Sequence, residues 1–165
     1  MEYRDLYDED RNLTGEKIAK DAPVPKGRYY ITVMVFIQNS KGQFLLQQRS
    51  PQKGGQWATT GGHPKAGENS IEGLRTEIQE EIGLSVNINE PQLYKTIKTE
   101  DDFVDLYYLK KDVDIKALKM QKEEVQNIEW FSKSEIEKMI INQTFFKWHI
   151  DAYRDCLEYL KNKTK

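Results

Sequence analysis

One segment, residues 61–84, limits the possible folds more than any other: a glycine-rich loop leads into a helix with a crowded acidic face. Asn69 can accept a hydrogen bond from the first turn, and Glu72, three residues later, completes the pattern of a capping box. Gly83 suits the left-handed position that follows a helix. These signals predict a helix over about 70–82.

The apolar residues of this helix recur at the helical period, which predicts one buried face. They are Ile71, Leu74, Ile78 and Ile82. At about 100° per residue, Glu77, Glu80 and Glu81 crowd together beside that face. Like charges four residues apart destabilise a helix by a few tenths of a kcal/mol, whereas Mg²⁺ prefers oxygen ligands and would turn the repulsion into binding. A solvated acidic face is the simpler interpretation of these glutamates alone.

The sequence around these glutamates favours a metal site over a solvated acidic face. The spacing resembles the Nudix box, G-x5-E-x7-R-E-U-x-E-E-x-G-U with U apolar. Eight of its nine defined positions match, at Gly62, Glu68, Glu77, Ile78, Glu80, Glu81, Gly83 and Leu84. The remaining position holds Thr76 where the family has arginine. The chain is therefore similar to Nudix hydrolases.

This resemblance implies a metal site. In that family the helix glutamates hold Mg²⁺ or Mn²⁺, so Glu77, Glu80 and Glu81 are expected to be ligands here, together with the carbonyl of Gly61. Gly62 has no Cβ and would let the backbone approach the metal closely.

The departure at Thr76 affects how the glutamates are held. In the family the arginine supports them through an ion pair, and Thr76 can offer at most a hydroxyl. Arg49 or a lysine would have to substitute for it. Glu68 is expected to orient the loop or to support the ligands from behind.

The same resemblance implies hydrolysis of a diphosphate linkage. Glu81, Glu80 and Glu124 are the candidate catalytic residues, with Glu81 or Glu124 activating water. Glu124 precedes a predicted strand, where many Nudix enzymes carry an additional glutamate. Mg²⁺ suits the reaction because it polarises a phosphoryl oxygen and lowers the pKa of bound water.

Three residues before the box are candidates for binding the substrate. Arg49 ends a strand of the type LLQQR that is common in the family, and it is expected to bind a phosphate; a plain surface arginine is an equally simple interpretation. Lys53 is a weaker candidate for the same task. Trp57 could stack on a base, although packing is the commoner use of such a residue.

The flanking segments resemble isopentenyl-diphosphate isomerase and its hydrolase relatives, over 25–30, 45–57 and 62–64. True isomerases carry a cysteine at the place of Gly61 and a histidine at the place of Tyr30. We therefore expect a hydrolase of isomerase-like build. A non-catalytic nucleotide-binding domain, suggested by Thr76, is the main alternative, and an isomerase is a weaker one.

The remaining pattern predicts an α/β fold. Strands are predicted over 29–37, 43–48, 57–60, 92–99, 103–109 and 125–131, with helices from 132 and over 144–161. The acidic helix should cover one face of a mixed sheet and the C-terminal helices the other, which is the α-β-α sandwich of the Nudix family. We expect a single domain, 1–165, in which residues 1–25 form an N-terminal extension that could hold a short hairpin.

Composition and net charge limit the classes of partner that the protein is expected to bind. The net charge of −2 gives no general attraction for nucleic acid, and no apolar run approaches the ~20 residues of a membrane span. The single cysteine, Cys156, permits no intramolecular disulfide and fits a cytoplasmic protein. We expect a small-molecule diphosphate substrate, a monomer or homodimer, and neither a nucleic-acid polymer nor a membrane as partner.

Overall fold

The computed structural model describes residues 1–163; residues 164 and 165, the end of the predicted 1–165 domain, lie outside the described part. That part contains nine strands and three α-helices. The strands are β1 Tyr3–Tyr7, β2 Leu13–Ala19, β3 Tyr30–Gln38, β4 Phe44–Arg49, β5 Trp57–Ala58, β6 Thr60–Gly62, β7 Gln92–Lys98, β8 Asp102–Lys110 and β9 Val125–Phe131. The helices are α1 Ser70–Ile82, α2 Lys133–Ile141 and α3 Ile150–Lys163.

Seven strands form one mixed sheet in the order β5-β4-β3-β8-β7, with β6 beside β3 and β9 beside β4. β3 and β8 run parallel in register from Tyr30 opposite Asp102 to Gln38 opposite Lys110, while the other pairs are antiparallel. β3 lies at the centre, and its continuous apolar sequence is explained by burial on both faces.

Helices cover both faces of this sheet. Leu74 and Ile78 of α1 pack into one apolar cluster with β3 and β8. Ile136 of α2 and Tyr153 of α3 pack into a second cluster on the opposite face. The predicted α-β-α sandwich is confirmed. Within residues 1–163, no helix combines the length and apolarity needed to cross a membrane.

α1 begins and ends at the predicted residues. The Asn69 side chain accepts a hydrogen bond from the Glu72 N–H at 3.0 Å, and the Glu72 carboxylate accepts one from the Asn69 N–H at 2.9 Å. Gly83 follows the helix with a φ of 70°, in the left-handed region. The caps thus fix which residues of α1 face the sheet.

Two predicted boundaries are wrong. The predicted strand over 57–60 is two short strands, because β5 pairs with β4 whereas β6 pairs with β3. The last helix begins at Ile150 and not at residue 144. Residues 144–146 instead bond to β5: Trp57 N–H donates to Thr144 O at 2.8 Å and Phe146 N–H to Trp57 O at 2.7 Å. A short 3-10 turn, Lys147–His149, then leads into α3.

The N-terminal residues form a hairpin of β1 and β2, as the sequence suggested. Backbone bonds of 2.8 and 2.9 Å between Tyr7 and Tyr29 attach it to the start of β3. The loop before α1 also bonds to it, since Ala66 N–H donates to Tyr3 O at 2.8 Å. The hairpin therefore forms a wall beside the glycine-rich loop.

The carboxylate of Asp105 in β8 joins several elements and is only 1% exposed. It accepts hydrogen bonds from Arg11 of the hairpin at 2.9 and 2.5 Å, from Ser70 at the start of α1 at 2.5 Å, and from Thr96 of β7 at 2.7 Å. Burial alone would raise the pKa of Asp105, but these donors, Arg11 first, hold it below its ordinary value.

Arg11→Ala should lower the free energy of unfolding by about 3 kcal/mol at pH 7, because the buried Asp105 loses its counter-charge. Since the pKa of Asp105 is lower in the folded protein than in the unfolded chain, this contribution is complete above about pH 4 and is lost as the pH falls through the folded pKa. Urea unfolding of both proteins at pH 7 and in acid would measure it. The control is Arg28→Ala, which removes an exposed ion pair with Glu16 and should change little. An equal effect of Arg11→Ala at both pH values would contradict the assignment.

Candidate active site

A cleft of about 420 Å³ opens where β6 leads into the glycine-rich loop. The N-terminal hairpin, β4, β6 and α1 line it, and residues near 121–124 and 146–149 complete its walls. Most of the residues singled out in the sequence meet here.

Two carboxyl groups lie at the centre of the cleft. Glu81 is 8% exposed and accepts a hydrogen bond from Gln47 Nε2 at 2.5 Å; the Gln47 oxygen in turn accepts one from the Thr60 hydroxyl at 2.6 Å. A hydrogen bond joins the carboxyl of Glu81 to that of Glu77. Burial raises the pKa of Glu77, and burial together with the Glu77 carboxylate raises the pKa of Glu81 well above its ordinary value. Without a cation, the pair therefore favours binding one shared proton.

The two glycines beside this pair occupy positions where a larger side chain would not fit. A Cβ on Gly62 would overlap the carboxyl group of Glu77, and one on Gly61 would lie 2.7 Å from the carbonyl oxygen of Val33. Neither glycine has a positive φ, so the constraint is the close approach and not the backbone conformation. Gly62 thus provides the room in which the Glu77 carboxylate sits.

This arrangement fits a hard divalent cation. Glu77 and Glu81 present oxygen atoms in a buried setting that penalises two negative charges, and the carbonyl of Gly61 belongs to β6, the short strand that also holds Gly62. Among residues 1–163, no three histidine, cysteine, aspartate or glutamate side chains converge into a ready metal cluster. Two carboxylates nevertheless suit Mg²⁺, which usually keeps several waters and takes one or two carboxylates together with substrate phosphates.

Glu80 has a different environment. It is exposed and forms an ion pair with Lys65 of the glycine-rich loop. The Glu68 carboxylate accepts hydrogen bonds from the Lys65 N–H at 2.8 Å and from the Thr76 hydroxyl at 2.5 Å, which ties the loop to the helix. Lys65, and not Arg49, therefore provides the positive charge beside the glutamates that a box arginine would supply.

Arg49 and Lys53 lie on the other wall of the cleft. The Arg49 guanidinium stacks 3.9 Å from the ring centroid of Phe146, and no acidic side chain within residues 1–163 pairs with it. Lys53 forms an ion pair with Glu124, which also lines the cleft. Arg49 is therefore the cation on this wall that is available to an anionic ligand.

The stacking role predicted for Trp57 does not fit its position. The indole packs edge-on against Phe131, with 4.8 Å between ring centroids, and joins the apolar cluster beneath α2 and α3. Trp57 is not among the residues that line the cleft. The aromatic ring that does line it is that of Phe146.

The sequence reasoning missed His149. Its Nδ1 accepts a hydrogen bond from the Thr59 N–H at 3.3 Å, and burial, with Arg49 nearby, lowers the pKa of His149 to about 4. The ring is therefore neutral at pH 7 and carries its proton on Nε2, as a donor. No sequence signal identified His149 or Phe146, because the residues from 144 onward have the apolar spacing of a helix.

Known proteins resemble this chain over most of its length. Residues 28–154 match the family described as NUDIX domain. The chain is 31% identical over 169 residues to an uncharacterized Nudix hydrolase of Listeria monocytogenes, covering 99% of this chain and 98% of that protein. Over 83 residues, 48% of this chain and 46% of the relative, it is 39% identical to the isopentenyl-diphosphate Delta-isomerase of Pectobacterium atrosepticum.

The crystal structure of DR0079 from Deinococcus radiodurans has the same fold, with a TM-score of 0.74 at 21% identity over 93% of this chain and 98% of that one. The likeness to the Listeria protein includes the hairpin, whereas the likeness to the isomerase covers about half of the chain. Together with the glycine-rich loop and acidic helix of residues 62–84, these matches show that the chain belongs to the NUDIX domain family.

Proposed function

We propose that this protein is a Mg²⁺-dependent hydrolase, with Mn²⁺ as a possible substitute, that cleaves a diphosphate linkage. The substrate is a nucleoside diphosphate linked to another moiety or a related organic pyrophosphate. The observation that carries the proposal is the buried pair of Glu77 and Glu81 beside Gly62, within a cleft whose wall holds Arg49 without an acidic partner among residues 1–163.

Glu77, Glu81 and the Gly61 carbonyl would hold the metal, with Glu80 as a further ligand once it leaves Lys65. When bound, Mg²⁺ supplies polarisation of a phosphoryl oxygen and a lowered pKa of bound water. Placing these carboxylates on a capped helix gives them a fixed position against the scissile bond.

The other residues of the cleft would bind the substrate phosphate and orient the attacking water. Arg49 would donate hydrogen bonds to a phosphate, as suits an arginine without an acidic partner. The Nε2–H of His149 adds a neutral donor on the same wall. Glu81 and Glu124 are the two candidates for accepting the proton of the attacking water, and the ion pair with Lys53 would orient the Glu124 carboxylate.

Two other functions receive less support. Isomerisation of isopentenyl diphosphate requires proton transfer, and Gly61 and Tyr30 stand where the resemblance places the cysteine and a histidine of that enzyme. Thr76 suggests a non-catalytic domain, but Lys65 restores a positive charge beside Glu80.

Cys156, which is buried as a free thiol, fits a protein of the reducing cytoplasm.

Glu81→Gln should lower the Mg²⁺-dependent rate at least about 100-fold, because the uncharged amide weakens the metal site and cannot accept a proton. The assay measures release of phosphate or monophosphate from nucleotide sugars, ADP-ribose, dinucleotides, nucleoside triphosphates and coenzyme A. The matched control is Glu72→Gln on the same helix, which keeps a capping box and lies outside the cleft.

Full activity of a folded Glu81→Gln protein would sink the proposal. Metal-dependent nucleotide binding by the wild-type protein without turnover of any compound would instead favour the non-catalytic domain. Conversion of isopentenyl diphosphate to dimethylallyl diphosphate would favour the isomerase.

Gly62→Ala should weaken Mn²⁺ binding by about 10-fold while the fold is kept, because the added methyl group displaces the carboxylate of Glu77. Electron paramagnetic resonance of free Mn²⁺ measures the affinity independently of turnover, and circular dichroism checks the fold. Unchanged Mn²⁺ affinity in a folded variant would show that Glu77 is not a ligand at this place.

A further inference from the structure

Arg4, in strand β1 of the N-terminal hairpin, is the second arginine that lines the cleft. Its guanidinium lies 5.0 Å from the ring centroid of Tyr30. The Nε atom is buried without a hydrogen-bond partner, and no carboxylate within residues 1–163 pairs with Arg4. A buried donor without a partner is unfavourable, more so on a charged group, so Arg4 keeps unused capacity to bind a ligand.

The hairpin holds Arg4 firmly in place. On either side of it, the carbonyl of Tyr3 and the carboxylate of Asp5 accept hydrogen bonds, both of 2.8 Å, from the N–H groups of Ala66 and Gly67. The bond between Arg11 and Asp105 fixes the far end of the same hairpin. Arg4 is thus presented to the cleft by an element that is bonded directly to the glycine-rich loop.

Residues 59–63 give the order of the groups along the cleft. At one end, Thr59 bonds to His149, beside Arg49. At the other end, His63 packs edge-on against the same Tyr30 ring that Arg4 covers.

An extended chain rises about 3.3 Å per residue, so the Cα atoms of Thr59 and His63 lie about 13 Å apart. Gly62 and the carboxylate of Glu77 lie between them. A guanidinium without an acidic partner in the described part of the chain therefore lies near each end of this segment, and these two cations suit a ligand that carries anionic groups on both sides of the acidic centre.

We propose that the preferred substrate is an organic diphosphate that carries an additional phosphate group, and that Arg4 binds this second phosphate. The proposal rests on the hydrolase function of the same site. Lys20 lines the cleft beside Arg4, and its nearest acid, Glu2, is 3.9 Å away. A guanidinium forms paired hydrogen bonds with phosphate, and a second cation nearby favours a phosphomonoester of charge near −2 over a single carboxylate.

Two pairs of compounds test this, since each pair differs by one phosphate: coenzyme A with dephospho-coenzyme A, and NADPH with NADH. For at least one pair, the wild-type protein should show a KM about 10-fold lower for the phosphorylated compound. Arg4→Gln should raise that KM to the value for the unphosphorylated partner, while kcat and the KM of the unphosphorylated compound stay unchanged.

The matched control is Arg28→Gln, an arginine at the end of the same N-terminal region that pairs with Glu16 outside the cleft. It should keep the full preference. Arg4→Lys, which retains the charge but not the paired donors, should keep part of it, and it provides a second test should Arg4→Gln fail to fold. Equal KM values within both pairs for the wild-type protein, or an unchanged preference in folded Arg4→Gln, would overturn the proposal.

A binding measurement separates this inference from the hydrolase function. Adenosine 3′,5′-bisphosphate should bind the wild-type protein about 10-fold more tightly than AMP in calorimetry, and Arg4→Gln should abolish the difference. If no compound is hydrolysed but this difference holds, the hydrolase function fails and the phosphate site stands. If hydrolysis depends on Glu81 but both ligands bind equally, only the phosphate site fails.

Discussion

The buried carboxylate of Asp105 is the interaction on which the arrangement of the cleft depends. It receives donors from the hairpin, from the first residue of α1 and from β7, so three elements that are distant in sequence share one anchor. Because Ser70 is held there, the register of α1 against the sheet is set at its first residue. The glutamates about two to three turns later, and the hairpin that faces them, therefore have fixed relative positions.

The glutamate pair illustrates a conflict between stability and function. Two carboxyl groups in one buried place oppose folding at neutral pH, since at least one must lose hydration while facing the other. An amide at Glu81 would bond to Gln47 without that penalty. Retaining acids at such a place is characteristic of functional sites, where local rules of stability are broken and compensated elsewhere, here by the apolar stripe of α1.

The sequence predicted the parts of the molecule that depend on local signals. α1 carries both caps and a strict apolar period, so its bounds and its acidic face were predictable, and with them the closeness of Glu77 and Glu81. Residues 144–149 have the same apolar spacing as a helix, but residues 144–146 bond to β5 and residues 147–149 form a 3-10 turn, and only the folded sheet reveals that competition. Phe146 and His149 were missed for this reason.

The roles of Arg4 and Lys65 could not be predicted from the sequence, for a related reason. Their positions depend on how a hairpin and a loop dock against elements far away in the chain, and neither residue belongs to a spacing pattern. Trp57 shows the converse error, because closeness in sequence to the glycine-rich loop did not decide on which face of the sheet its ring lies.

The ion pair between Lys65 and Glu80 changes how the box should be recognised in related chains. The family pattern places the supporting charge within the helix, whereas here it comes from the preceding loop and ends beside the same glutamates. The requirement is then for a charge at a location in space and not for arginine at one position of a motif. Positions 65 and 76 should accordingly covary in evolution, and a pattern search that insists on the arginine would discard chains whose electrostatics are intact.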